Sequence, residues 1–114
     1  MLPAPHRLRA ASDFTLTTRA GTKRTRGCLV VSGYLPPNSE GPARVGLAIG
    51  RAVGNSVHRH AVSRRLRGCL AGLVADLPPG SLWVIRGLPG AAESDTLVED
   101  LRGAIDAIRT TWSA

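Results

Sequence analysis

Arg44-Val-Gly-Leu-Ala-Ile-Gly-Arg51-Ala-Val-Gly54-Asn55-Ser-Val-His58-Arg59-His60-Ala-Val-Ser-Arg64-Arg65-Leu-Arg67 is the stretch on which the fold turns. Its first part alternates, with Val45, Leu47 and Ile49 on one side, which is the period of a strand over residues 43–50. Gly54 and Asn55 interrupt that strand, and Asn55 or Ser56 is a good N-cap for a long helix. The helix is expected to run to about Asp76, before Pro78-Pro79-Gly80 ends it. At about 100° per residue, Val62, Leu66, Cys69, Leu70, Leu73 and Leu77 fall in one sector and form the core face. His60, Arg64 and Arg67 form a separate stripe toward solvent, with Arg65 and His58 on its flank. Arg59 lies nearer the core sector, but in the first turn, where a long side chain reaches past the helix end. No acid occurs between Glu40 and Asp76 to relieve these charges. Like charges four residues apart repel, so a helix built for stability alone would place acids there. An external polyanion is the missing counter-charge, and the helix N-terminus adds N–H donors that favour phosphate.

Outward from this block, residues 1–10 read as a loosely ordered basic arm carrying Arg7 and Arg9. A short helix is expected from Ser12, capped by Ser12 or Asp13, with Phe14 and Leu16 as apolar contacts and Gly21 as the stop. Residues 27–35 read as a strand from their β-branched run, and Pro36 to Pro42 as a loop. Leu82-Trp83-Val84-Ile85 is the centre of a buried strand over 81–87. The last helix is expected from about Glu93 to Trp112, with Leu97, Leu101, Ile105, Ile108 and Trp112 at helical spacing. A capping box at Thr96 and Glu99 would start it a turn later. Trp83 and Trp112 are read as core residues and Gly54 as a backbone device. Gly68 and Gly72 each weaken their helix by about 1 kcal/mol relative to Ala. The pattern helix, strands, helix, strand, helix describes one α/β layer, a sheet with helices packed on it.

The chain has 114 residues and a formal net charge of +7, which fits one domain over 1–114. No apolar run approaches the roughly 20 residues of a membrane span. The N-terminus shows no signal-peptide pattern, and two cysteines, Cys28 and Cys69, suit a reduced cytoplasmic compartment. Residues 1–67 hold twelve of the fifteen Lys and Arg and only two acids, Asp13 and Glu40. Fourteen of the fifteen are Arg, whose planar fork matches phosphate and stacks on bases. No nucleophile–base constellation stands out. Ser63 with His60 lacks a third group, and His58 and His60 point about 200° apart on a helix and do not chelate one ion. The residues therefore describe a basic nucleic-acid binder. A DNA-binding regulator inserting the basic helix into the major groove is the alternative, although a strand, not a second short helix, precedes that helix.

The same residues carry a family pattern. The chain resembles the protein subunit of bacterial ribonuclease P, whose signature is R-V-G-L, a basic residue, then G-N-x-V-x-R-N-R-x-x-R-x-x-R. Here these are Arg44-Val45-Gly46-Leu47, Arg51, and Gly54-Asn55-Ser56-Val57 leading into Arg59, Arg64 and Arg67. Arg7-Leu8 with Asp13-Phe14 is similar to the family's opening, and Leu82 to Arg86 to its last strand, so the likeness spans residues 7–110. Two departures stand out. His60 and Ala61 replace the Asn and Arg of the R-N-R core, and Thr18 and Ser32 stand where cleft aromatics are expected. Phe14 keeps one aromatic, and strand parity puts Tyr34 on the face of Ser32.

The resemblance implies an α+β two-layer sandwich with three helices and a mixed four-stranded sheet in αβββαβα order, with a left-handed βαβ crossover. It implies RNA binding by Arg7, Arg9, Arg51, Asn55, Arg59, His60, Arg64, Arg65 and Arg67, and a leader-binding cleft with Phe14, Thr18, Ser32 and Tyr34. The partners implied are the catalytic RNA subunit, which holds Mg2+ and cuts the 5′ leader from precursor tRNA, and the leader itself. No membrane and no obligate protein partner are expected, and the protein supplies no catalytic residue.

Overall fold

The computed structural model describes residues 4–38 and 40–113. The chain runs α1 (Ala11–Ala20), β1 (Thr22–Arg26), β2 (Leu29–Tyr34), β3 (Arg44–Ala48), α2 (Ser56–Leu73), β4 (Leu82–Gly87) and α3 (Leu97–Ser113). The four strands form an open mixed sheet in the order β1-β2-β4-β3. β2 is antiparallel to both β1 and β4, whereas β3 lies parallel to β4 and reaches it through α2. The α+β sandwich with three helices and a mixed sheet is thus the observed architecture.

One expectation for the strands is corrected. The segment 27–35 is not one strand from its start: Gly27, at φ 55°, turns the chain, and β1 precedes it as the first arm of a hairpin. β1 escaped the residue-by-residue reading because Thr-Lys-Arg-Thr-Arg is polar throughout. Four of its five residues are exposed. A charged edge strand of this kind resists pairing with other chains.

The core lies on one sheet face. Leu29, Val31, Val45, Trp83 and Ile85 pack there against Val62, Leu66 and Leu70 of α2 and Leu97, Leu101, Ile105 and Ile108 of α3. The helical spacings seen in the sequence therefore face inward as expected, with Cys69 and Leu73 at the border of the same cluster. Trp83 is 1% exposed, yet its indole N–H is satisfied, donating to Ser81 Oγ at 2.8 Å. Ser81 Oγ in turn donates to the Pro78 carbonyl at 2.6 Å. The Trp112 ring packs on Trp83 with centroids 5.0 Å apart.

The helix ends show which local signals prevail. Asn55 caps α2, its side chain accepting from the His58 N–H at 3.1 Å. α2 ends at Leu73 and continues as a 3-10 turn to Asp76. Ser12 and Asp13 do not cap α1. Ala10 holds that position with no side-chain bond. Asp13 instead lies 3.9 Å from the Arg44 guanidinium, tying α1 to β3. α3 begins late, and Thr96 Oγ1 donates to Asp100 at 3.0 Å rather than forming a box with Glu99.

The stretch read as a loose arm follows the outer edge of β3. Arg7 bridges Val45 in parallel, and the Leu8 N–H donates to the Val45 carbonyl at 3.0 Å. His6 Nδ1 sits 2.7 Å from the Ala43 carbonyl, and Leu8 is buried. β3 is the last strand of the sheet, so its unpaired edge groups are what hold this segment. Residues 1–3 of the arm lie outside the described residues.

Candidate nucleic-acid interface

The sheet face opposite the core is only partly covered. Alternation along the strands sends Val30, Ser32 and Tyr34 of β2, Leu82, Val84 and Arg86 of β4, and Gly46 and Ala48 of β3 to that side. The register aligns them in rungs. Lys23, Ser32, Val84 and Gly46 form one, and Thr25, Val30, Arg86 and Ala48 the next. Leu8, Leu82 and Val84 make a small cluster there, with Phe14 and Tyr34 packed against it. Phe14 lies directly over Gly46, where any Cβ would collide with its ring. The glycine of Arg44-Val-Gly-Leu thus gives the Phe14 ring its seat on the sheet.

Phe14 borders two hollows. One, of about 310 Å³, is lined by Phe14, Thr15, Thr18, Lys23, Val30, Ser32, Ala48, Val84 and Arg86. The other, of about 430 Å³, lies across the β3 edge between the arm and α2, with Arg7, Arg9, Gly46 and Arg67 in its wall. The two hollows flanking Phe14 form the groove, with Lys23 and Arg86 in the wall of one, Arg7, Arg9 and Arg67 in the wall of the other, and mostly small side chains in the floor. Thr18 turns its hydroxyl back onto α1, donating to the Phe14 carbonyl at 3.0 Å. Ser32 is 3% exposed and sits in the floor. Tyr34 shares the face but lies at the far end, beside Gly21 and Trp112, and does not line either hollow.

The second basic surface is α2. His60, Arg64 and Arg67 are exposed along one stripe, Arg59 and Arg65 are half-buried beside it, and Arg51 is exposed in the loop before the helix. Gly54 has φ 143°, a conformation that a residue with a side chain rarely adopts, and it sets the turn into α2. Val57 stands 72% exposed in the first helical turn, an apolar side chain among cations. Among the described residues the single ion pair is Arg44 with Asp13, so Arg51, Arg59, Arg64, Arg65 and Arg67 have no internal counter-charge. Asn55 stands apart from the rest of the set, since its carbonyl oxygen is committed to the cap. Arg67 belongs to the helix stripe and the groove wall at once, and so joins the two surfaces.

The acids do not converge. Among the described residues no group of three or more His, Cys, Asp or Glu side chains comes together in a way that fits a divalent cation. No helix is long and apolar enough to cross a membrane.

The family model described as Ribonuclease P matches residues 2–109. The chain belongs to the ribonuclease P protein family. The ribonuclease P protein component of Streptomyces avermitilis is 43% identical over 117 residues, covering 95% of each chain. That of Rhodococcus opacus is 45% identical over 112 residues, covering 92% of this chain and 90% of its own. In fold, the ribonuclease P protein of Staphylococcus aureus matches with a TM-score of 0.76 at 16% identity, covering 90% of this chain and 94% of that one. The ribonuclease P protein of Thermotoga maritima matches with a TM-score of 0.71 at 23% identity, over 85% of this chain and 94% of that one. This ribonuclease P protein is the RNA-binding, non-catalytic subunit of a tRNA-processing ribonucleoprotein, and its partner is the ribonuclease P RNA. None of these relatives supports the DNA-binding alternative, and in the structure β3 and a turn stand where a helix-turn-helix would need a helix.

Lys23, Arg86 and Thr15 line the hollow beside Phe14 and were not among the candidates read from the sequence. Arg86 had a signal, because period-2 parity in β4 puts it on the side of Leu82 and Val84. Lys23 had none without the pairing of β1 to β2.

Proposed function

We propose that the two surfaces divide the RNA between them. The ridge of α2 rests on the ribonuclease P RNA, and the groove beside Phe14 takes the 5′ leader of precursor tRNA. The observation that supports this reading is the contrast in shape between two cationic surfaces that meet at Arg67. The ridge is convex and bears Arg side chains at helical spacing, which suits the phosphate backbone of a folded RNA. The groove is concave, with an aromatic ring over a floor of small side chains, which suits an unpaired strand whose bases stack. In this reading Mg2+ is held by the RNA, and the protein's part is to seat leader and RNA against each other. The cations on both rims lower the repulsion between the two polyanions.

The test is a leader-length series on the reconstituted holoenzyme. Affinity for precursor tRNA is expected to rise as the leader grows into the groove. Phe14→Ala should remove about 10-fold of that gain, the value of a stacked base, while affinity for the RNA subunit stays unchanged. Equal losses in both measurements would overturn the division.

A further inference from the structure

β4 is an interior strand, hydrogen-bonded on both sides, and Leu82-Trp83-Val84-Ile85-Arg86-Gly87 holds one charged residue. Arg86 stands opposite Val30 on β2 and Ala48 on β3, so neither cross-strand neighbour offers it a counter-charge. Among the described residues no acid pairs with it, and it is exposed in the opening of the groove. Cross-strand partners on an interior strand are the usual place to neutralise such a charge. Here they are small and apolar, which leaves the guanidinium free above a flat floor.

The rest of the groove shows what is short. Phe14 is its one aromatic ring among the lining residues. The Thr18 hydroxyl is turned onto its own helix, and Ser32 is buried. A single strand needs flat faces for its bases, and a guanidinium is planar, weakly hydrated and able to stack where an ammonium is not. Lys23, one rung away, supplies charge without a flat face. We propose that Arg86 is the second stacking surface of the groove, its guanidinium plane taking one leader base in place of an aromatic ring. This rests on the groove being the leader site, and it makes Arg86 a residue that fixes how the leader is read.

The experiment uses the reconstituted holoenzyme and precursor tRNA with a long or a one-nucleotide leader. Arg86→Ala is expected to weaken binding of the long-leader substrate about 10-fold and leave the one-nucleotide substrate unaffected. Arg86→Lys keeps the charge but loses the plane, and should recover less than half of that loss on a logarithmic scale. An abasic nucleotide placed at successive leader positions should, at one position, erase the difference between wild type and Arg86→Ala. Unchanged affinity for the RNA subunit confirms that each variant is folded. Full recovery by Arg86→Lys, or a penalty that survives every abasic substitution, would mean a phosphate contact and overturn the stacking role. Phe14→Ala in the same series separates the two ideas. If it loses the leader-length gain and Arg86→Ala does not, the Arg86 role fails and the groove stands. If neither variant loses it, the groove assignment fails and takes the Arg86 role with it.

Discussion

Neighbouring residues of β4 live in opposite worlds. Trp83 and Ile85 are sealed under α2 and α3, while Val84 and Arg86 face a groove that only the short α1 and Leu8 partly cover. Among the described residues the core-side cluster holds eighteen buried side chains, and the groove-side cluster holds three. The imbalance follows from helix length. α2 and α3, with eighteen and seventeen residues, bury one face, whereas α1 has ten and leaves open sheet beside it. Stability is thus concentrated on one face of the strand, and the other is left largely open. Period-2 alternation keeps the two roles from interfering, since a core side chain and a groove side chain never share a position.

The largest expected effect breaks the core side. Trp83→Ala should cost about 3–5 kcal/mol of folding stability, read as a shift of the urea midpoint at unchanged slope. A loss below about 1 kcal/mol would mean that the Trp83–Trp112 pair is not what anchors the sheet to α3. A smaller effect sharpens the contrast from the solvent side of α2, the helix that covers the core face. If about five Arg of the chain neutralise phosphates, affinity for the RNA subunit should fall with a log–log salt slope of about −3.5 to −4.5, or roughly 100- to 500-fold from 50 to 200 mM salt. Replacing both Arg64 and Arg65 by Ala should flatten that slope by about 1.4 to 1.8, with stability unchanged within about 0.5 kcal/mol. A wild-type slope near −1 would contradict a phosphate-dominated ridge. The smallest effect asks whether the two roles are independent. Gly68 is exposed on α2, and a Cβ there meets nothing within 4 Å. Gly68→Ala should therefore raise stability by about 1 kcal/mol and leave RNA binding as it was. Weaker RNA binding in that variant would show that the glycine makes room for the RNA.

Much of this was legible in the chain. The α2 core face of Val62, Leu66 and Leu70, the Asn55 cap and the inward row of Leu97, Leu101, Ile105 and Ile108 all follow from a local repeat of 3.6 residues. The unpaired charge of the ridge was visible as an absence of acids between Glu40 and Asp76. Less visible was β1, whose polar residues make a strand only because β2 pairs with them and α3 packs alongside. Ser12 and Asp13 were misread as caps because a capping preference is weak, and the Asp13–Arg44 pair competes for the carboxylate. Tyr34 obeyed strand parity and still missed the groove, since parity sets the face and not the position along it.

From its order of residues alone, this chain determined its helical faces, its inward strand positions, its cationic ridge and its family pattern, all carried by repeats and spacings a few residues long. The tertiary structure alone decided that the arm would dock on β3, that Gly46 would seat Phe14, and that Lys23 and Arg86 would wall the hollow on one side of Phe14 and Arg67 the hollow on the other. These depend on strand register and on which edge stays unpaired. Both are settled by contacts between residues far apart in sequence, which no local period encodes.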